Sequence, residues 1–403
     1  MSSPQRILIY AELLSNIRQV SVGCALPTPV STTTGATVST DGRALTVTHD
    51  GSSETIQLPK AVTPFAQLPI KELGITSLSW RLPLAAPPTG RVQPMSEESV
   101  PWSATDLEPG SAMACRTCQS TIVDAGTLKV WKDLPSENWA EMMEFWHCHK
   151  PHTHPNGNDE ENLTSRGYGA SSRISAQPGV GFIDLTSFLL ANSDLATSSI
   201  SASEGTNSVD SGNKVTTTLS CTSCKTQLGI RNDEASSSSM FKWQVVVKQR
   251  NQTNPNSYPN LAQCVSAMLL ATMARSGCSK SVLLPIKAQS SLSTDRSKSQ
   301  DGGQTQDLLN IWVFNANITF SSTEAASAPI HAVKVFYRTV SQEQADKMVE
   351  SMISDVQDIS LPSEAITTIA GLLQKSTRFI PESDRKFKEW TVGLIEKWDG
   401  AGG

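Results

Sequence analysis

Two Cys-X-X-Cys turns, far apart in the chain, constrain what this sequence can fold into more than any other feature. One reads Ala114-Cys115-Arg116-Thr117-Cys118-Gln119, the other Ser220-Cys221-Thr222-Ser223-Cys224-Lys225. Each turn can aim two sulfurs at one ion. Two such turns complete a tetrahedral, all-sulfur set, which suits zinc. Neither half is sufficient alone, so the ion would staple two distant segments together. Both turns are flanked by strand-like sequence, whereas a redox pair wants a thiol at a helix start, where its pKa falls. Structural zinc on Cys115, Cys118, Cys221 and Cys224 is favoured over two pairs of core thiols and over redox chemistry.

A chain of 403 residues has room for two or three domains with cores of their own. Its net charge of -5, with no Lys/Arg run, argues against a partner held by phosphate neutralisation, so no direct contact with nucleic acid is expected. The N-terminal Met1-Ser2-Ser3-Pro4-Gln5-Arg6 leads straight into strand-like sequence and does not read as a signal peptide. No apolar run approaches the roughly 20 residues that span a bilayer, so no membrane is expected. A soluble, intracellular protein is expected. In a reducing compartment eight cysteines read as metal ligands and core thiols rather than disulfides.

Along the chain the pattern predicts an α+β protein that is predominantly β. A β region over residues 1–105 leads into a zinc-stapled β domain over 106–235, and a C-terminal α+β region covers 236–403. Leu45 and Val47 alternate with Thr46 and Thr48, and Asp50-Gly51 signals a hairpin to Thr55–Leu58. Phe241, Trp243, Val245 and Val247 alternate with polar residues as a single strand would. Pro259 opens a helix striped by Leu261, Cys264, Val265, Met268, Leu269 and Thr272, with Gly277 as its cap. Three helices are expected to close the chain, the last near Pro381 with a stripe of Phe387, Trp390, Leu394 and Trp398. His49 ends one strand and His331 begins another; the sequence gives neither a catalytic part.

Between the cysteine turns lies Trp146-His147-Cys148-His149, at the end of a short helix that starts at Ser136. Cys148 has four readings. It is an extra metal ligand with His152 and His154 nearby, a thioester nucleophile, an exposed tip that reaches another protein's metal centre, or a packing residue anchored by Trp139 and Trp146. The helix C-terminus disfavours a thiolate there.

With those residues in view, the chain resembles the HECT-like ubiquitin-conjugating-enzyme-binding proteins. The resemblance is carried by Cys115-X-X-Cys118, Leu134-Pro135-Ser136-Glu137-Asn138-Trp139, Trp146-X-Cys148-His149, and Cys221-X-X-Cys224 with Leu228-Gly229 after it. Softer support comes from Leu309 to Phe314 and from Ala332-Val333-Lys334-Val335-Phe336-Tyr337. The resemblance implies a ubiquitin ligase that binds a conjugating enzyme and accepts ubiquitin on a cysteine. It also implies a tie to pre-mRNA 3′-end processing. There a non-enzymatic regulator would dock on the cleavage and polyadenylation endonuclease through Trp146, His147, Cys148 and His149, near its metal site. One departure bears on the first role. A HECT-type acceptor is a cysteine near the C-terminus, but the last cysteine here is Cys278. A thioester would fall to Cys148, Cys264 or Cys278, of which Cys148 is the weak candidate.

Overall fold

The computed structural model describes residues 6–70, 73–85, 100–134, 175–203, 216–249, 258–286, 308–326, 328–351 and 355–400. Strands dominate these residues. The first six are β1 (Leu8–Leu14), β2 (Gln19–Ala25), β3 (Gly35–Val38), β4 (Ala44–His49), β5 (Ser52–Gln57) and β6 (Ser77–Pro83). Next come β7 (Ala112–Cys115), β8 (Thr121–Val123), β9 (Val130–Asp133), β10 (Val180–Ile183), β11 (Ser187–Ala191) and β12 (Ile200–Ser203). Then follow β13 (Thr216–Cys221), β14 (Gln227–Asn232), β15 (Ser237–Phe241) and β16 (Val245–Lys248). The last are β17 (Lys280–Pro285), β18 (Leu308–Ser322), β19 (Ile330–Val340), β20 (Val356–Leu361), β21 (Lys386–Phe387) and β22 (Trp390–Glu396). The α-helices among the described residues are Leu261–Ser276, Gln342–Glu350 and Ser363–Thr377, and none is long and apolar enough to cross a membrane.

Contacts divide the chain into two units. The first joins residues 1–99 with 261–286 and 301–399. Its main sheet runs β21-β22-β19-β18-β1-β2-β6, with β17 also on β18 and β20 on β17. N-terminal strands therefore pair with C-terminal ones. The hub is β18, which pairs with β17 over Leu309–Trp312, with β1 over Phe320–Ser322, and with β19 along its length. Its register slips around Asn315, within Asn315-Ala316-Asn317, where residues that disfavour a strand interrupt the apolar run. An ion pair reaches across this hub: Lys334 of β19 meets the buried carboxylate of Glu12 in β1 at 2.7 Å, and Tyr10 donates to the same oxygen at 2.9 Å. A separate sheet, β3-β4-β5, packs with β1, β2 and β6 around Val20, Val22, Leu45, Val47 and Ile56.

The helix Leu261–Ser276 follows the expected stripe in Cys264, Val265, Leu269 and Thr272, all buried. Gly277 caps it in the left-handed region at φ 71, its N–H donating to Met273 O at 2.9 Å. The helix expected after Pro381 is not there. A 3-10 turn at Glu382–Asp384 leads instead into β21 and β22, which pairs with β19 from Thr391 to Glu396. The stripe misled because β22 is covered on both faces and so lacks strand alternation. Phe387, counted in that stripe, is 44% exposed while Trp390 and Leu394 are buried. Gly393 marks the close contact: a Cβ there would lie 2.6 Å from Leu373 of the helix Ser363–Thr377.

The second unit holds residues 100–260 with 287–300 and 400–403. It contains the seven-stranded sheet β12-β13-β14-β15-β11-β10-β9 and the three-stranded sheet β16-β7-β8. The single strand expected over Phe241–Val247 is two strands separated by a 3-10 turn at Lys242–Gln244. That turn carries the chain from one sheet to the other. It also buries Lys242, whose ammonium donates to the carbonyls of Pro101 and Trp102 and lies 5.7 Å from the Phe188 ring. A polar residue in an alternating pattern was here an inward one, satisfied by backbone oxygens.

Candidate metal centre

The two cysteine turns sit at the tips of two hairpins in the second unit. β7 delivers Cys115 and β8 leaves after Ser120; β13 delivers Cys221 and β14 leaves after Thr226. Each turn is closed by the same pair of backbone bonds. The N–H of Gln119 reaches Cys115 O and that of Cys115 reaches Ser120 O, both at 2.9 Å. In the second turn Lys225 donates to Cys221 O and Cys221 to Thr226 O, again at 2.9 Å. Gln119 and Lys225 each adopt φ 63, which folds the chain back so that the preceding sulfur faces inward.

The four sulfurs meet. Cys115 Sγ lies 3.6 Å from Cys224 Sγ, Cys118 Sγ lies 3.4 Å from Cys221 Sγ, and all four fall within 4.8 Å of one another. A tetrahedron with metal–sulfur bonds of ~2.3 Å has edges of roughly 3.8 Å, so one ion fits this set. Cys115 and Cys221 are fully buried, while Cys118 and Cys224 lie nearer the surface.

The surroundings favour thiolates at the outer pair. The hydroxyl and backbone N–H of Ser120 hold the Cys118 thiol down to about 6. The hydroxyl and N–H of Thr226 lower Cys224 in the same way. Burial instead pushes Cys115 up to about 12, against the N–H groups of Cys118 and Thr117 aimed at its sulfur. A cation held by the four sulfurs would supply the charge that offsets this burial.

Two hydroxyl contacts lock the turns together. Ser120 Oγ lies 3.0 Å from Ser223 Oγ, and Thr226 Oγ1 lies 3.3 Å from Thr117 Oγ1; with the Ser120 and Thr226 protons turned to the sulfurs, Ser223 and Thr117 are the donors. The sequence carried a signal for them. Both turns extend to Cys-X-X-Cys-X-Ser/Thr, with Ser120 and Thr226 at the same place. Further bonds seat each turn: Arg116 donates from its N–H to Gln244 O and from Nη1 to Pro259 O, and Thr222 donates to Ser199 O and Ser198 O.

Of the other sequence-singled residues, Trp146, His147, Cys148 and His149 lie outside the described residues, as does the helix expected from Ser136. Cys264 is a fully buried helix residue. Cys24 is buried in β2, and that burial pushes its thiol up to about 12. Cys278, just past Gly277, is half-buried.

The fold and the site thus define a β-rich protein in which four thiols from two hairpins form one metal-competent centre. The family described as HECT-like ubiquitin-conjugating enzyme (E2)-binding matches residues 12–392, and the chain belongs to that family. It is 26% identical over 354 residues to an uncharacterized protein of Schizosaccharomyces pombe, covering 85% of this chain and 90% of that one. It is 22% identical over 293 residues to an uncharacterized protein of Saccharomyces cerevisiae, covering 72% and 71%. It is also 22% identical over 310 residues to an E3 ubiquitin-protein ligase of Pongo abelii, covering 70% and 72%. No solved structure matches.

Proposed function

We propose that this protein engages a ubiquitin-conjugating enzyme and promotes transfer of ubiquitin from it, in the cytoplasm and nucleus. The single observation that carries the reading is the family match over residues 12–392. The Pongo abelii relative, which carries the ubiquitin-protein ligase name, points the same way.

The ion of the four-thiol centre is zinc in this reading. An all-thiolate tetrahedral site is closed to substrate, and zinc brings no redox chemistry, so it stabilises the hairpins. Its binding would supply on the order of 10 kcal/mol or more of folding free energy at neutral pH. Cys115, Cys118, Cys221 and Cys224 would hold it, and the ligand N–H and hydroxyl bonds would keep the sulfurs ionised.

The test is capture of partners from extract by wild type and by Cys148→Ala, read by mass spectrometry. The reading expects a conjugating enzyme with both baits, and ubiquitin with it. Subunits of the 3′-end-processing endonuclease on wild type alone, with no conjugating enzyme, would replace it with docking through Trp146 to His149.

A further inference from the structure

His49, at the end of β4, is 2% exposed, and both its ring nitrogens are engaged. Nδ1 lies 2.8 Å from Thr34 Oγ1, and Nε2 lies 2.7 Å from Thr28 Oγ1 and 3.3 Å from Asp50 Oδ2. The partners fix the protons. An ionised carboxylate only accepts, and the hydroxyls of Thr28, Thr33 and Ser31 hold Asp50 below its usual range. Thr28 gives its one proton to Asp50 Oδ2 at 2.8 Å, so it must accept from His49 Nε2. In the neutral ring Nδ1 is then the acceptor, and Thr34 donates into it. The Thr34 oxygen accepts the Ser31 N–H at 3.0 Å, which leaves its own proton for the imidazole. The bonds run one way, from Thr34 through His49 and Thr28 to Asp50.

That arrangement is a hydroxyl beside an oriented base, with a carboxylate behind the base to balance an imidazolium. It also opens on space. Thr34, itself 8% exposed, lines a cavity of ≈ 420 Å³ together with Ser31, Gln67, Leu68, Ile70 and Leu73. Of the cysteines among the described residues outside the metal set, Cys24 and Cys264 are buried and Cys278 is half-buried.

We propose that Thr34 is an acyl acceptor with His49 as its general base, and that the donor is a thioester borne by a ubiquitin-conjugating enzyme. The choice of donor rests on the function proposed above. Thr34 Oγ1 attacks the thioester carbonyl while its proton passes to His49 Nδ1. The tetrahedral intermediate collapses, the C–S bond breaks, and the leaving thiolate takes the proton back from His49. An oxyester and a thiol replace a thioester and an alcohol, with no change of oxidation state. Thr34 and His49 are the catalytic residues; Thr28 and Asp50 position the ring.

The experiment incubates the full chain with ubiquitin-charged conjugating enzymes and, separately, with p-nitrophenyl acetate, then maps modified peptides. The expected adduct survives reductant, is released by hydroxylamine, and sits on Thr34. Thr34→Val abolishes it, and His49→Gln slows it about a hundredfold. p-Nitrophenyl acetate acetylates Thr34 of the wild type, a readout that no variant's folding can confound. A reductant-sensitive adduct would place the acceptor on a cysteine and overturn the proposal. So would capture of the conjugating enzyme with Thr34 unmodified by either donor; the binding reading would then stand alone. Acetylated Thr34 without any captured conjugating enzyme would overturn the assigned donor and the binding reading together, leaving the nucleophile.

Discussion

Gln119 and Lys225 hold the same left-handed conformation, φ 63, each one residue past the second cysteine of its turn. The likeness extends outward: Ser120 contacts Ser223 and Thr226 contacts Thr117, so each turn's exit residue grips the middle of the other. Two hairpins distant in sequence have converged on one local shape around a shared centre. The left-handed region costs an L-residue roughly 1–2 kcal/mol, most for a β-branched side chain. Lys225 already bears most of that cost, so Lys225→Val is expected to add only the extra strain of its branched Cβ, about 1 kcal/mol, and Lys225→Gly to leave the protein unchanged or slightly firmer. Denaturant midpoints of the two variants at equal metal loading check this.

In the metal-free protein the outer thiol Cys118 should be the most reactive cysteine of the four. Held down to about 6, it is mostly thiolate at neutral pH, whereas Cys115, pushed up to about 12, is a buried thiol. The sign for stability follows from linkage. The Cys118 contribution is complete above the ordinary thiol value of 9.0 and is lost as pH falls through about 6. Iodoacetamide labelling after chelation, followed by peptide mapping from pH 5 to 9, should show Cys118 modified first and its rate dropping below about pH 6. Labelling of Cys115 ahead of Cys118 would contradict the assigned environments.

The pair of Lys334 and Glu12 ties an N-terminal strand to a C-terminal one across β18. Glu12 is 5% exposed, so removing its cation leaves a buried carboxylate that keeps, among the described residues, the Tyr10 hydroxyl as its partner. Lys334→Met is expected to cost about 3–5 kcal/mol. Replacing both residues, Glu12→Leu with Lys334→Met, should cost much less, since no stranded charge remains. A double-mutant cycle by denaturant unfolding measures the difference.

What the sequence made legible was what local pattern controls. Cys115, Cys118, Cys221 and Cys224 stood out by spacing, and the structure brings them together. The hairpin at Asp50-Gly51 and the helix capped by Gly277 followed from turn and cap chemistry. Long-range pairing decided the rest. The sharing of one sheet by β1 and β18 leaves no mark on either strand's own sequence. β22, buried on both faces, offered an apolar stripe that fitted a helix equally well. Lys242 looked outward in an alternating run, and only its carbonyl partners at Pro101 and Trp102 show why it is inside. His49 stood without a motif because its partners Thr28 and Thr34 come from a loop that folds back on the end of β4.

The central claim is that one zinc ion joins the two hairpins, and elemental analysis of the purified chain tests it most directly. Wild type should carry about one zinc per chain. Cys115→Ser and Cys221→Ser should carry none, and their second unit should unfold at lower temperature, as should chelated wild type. A wild-type protein that is metal-free yet as stable as the metal-loaded form, with the four thiols still gathered, would contradict the account.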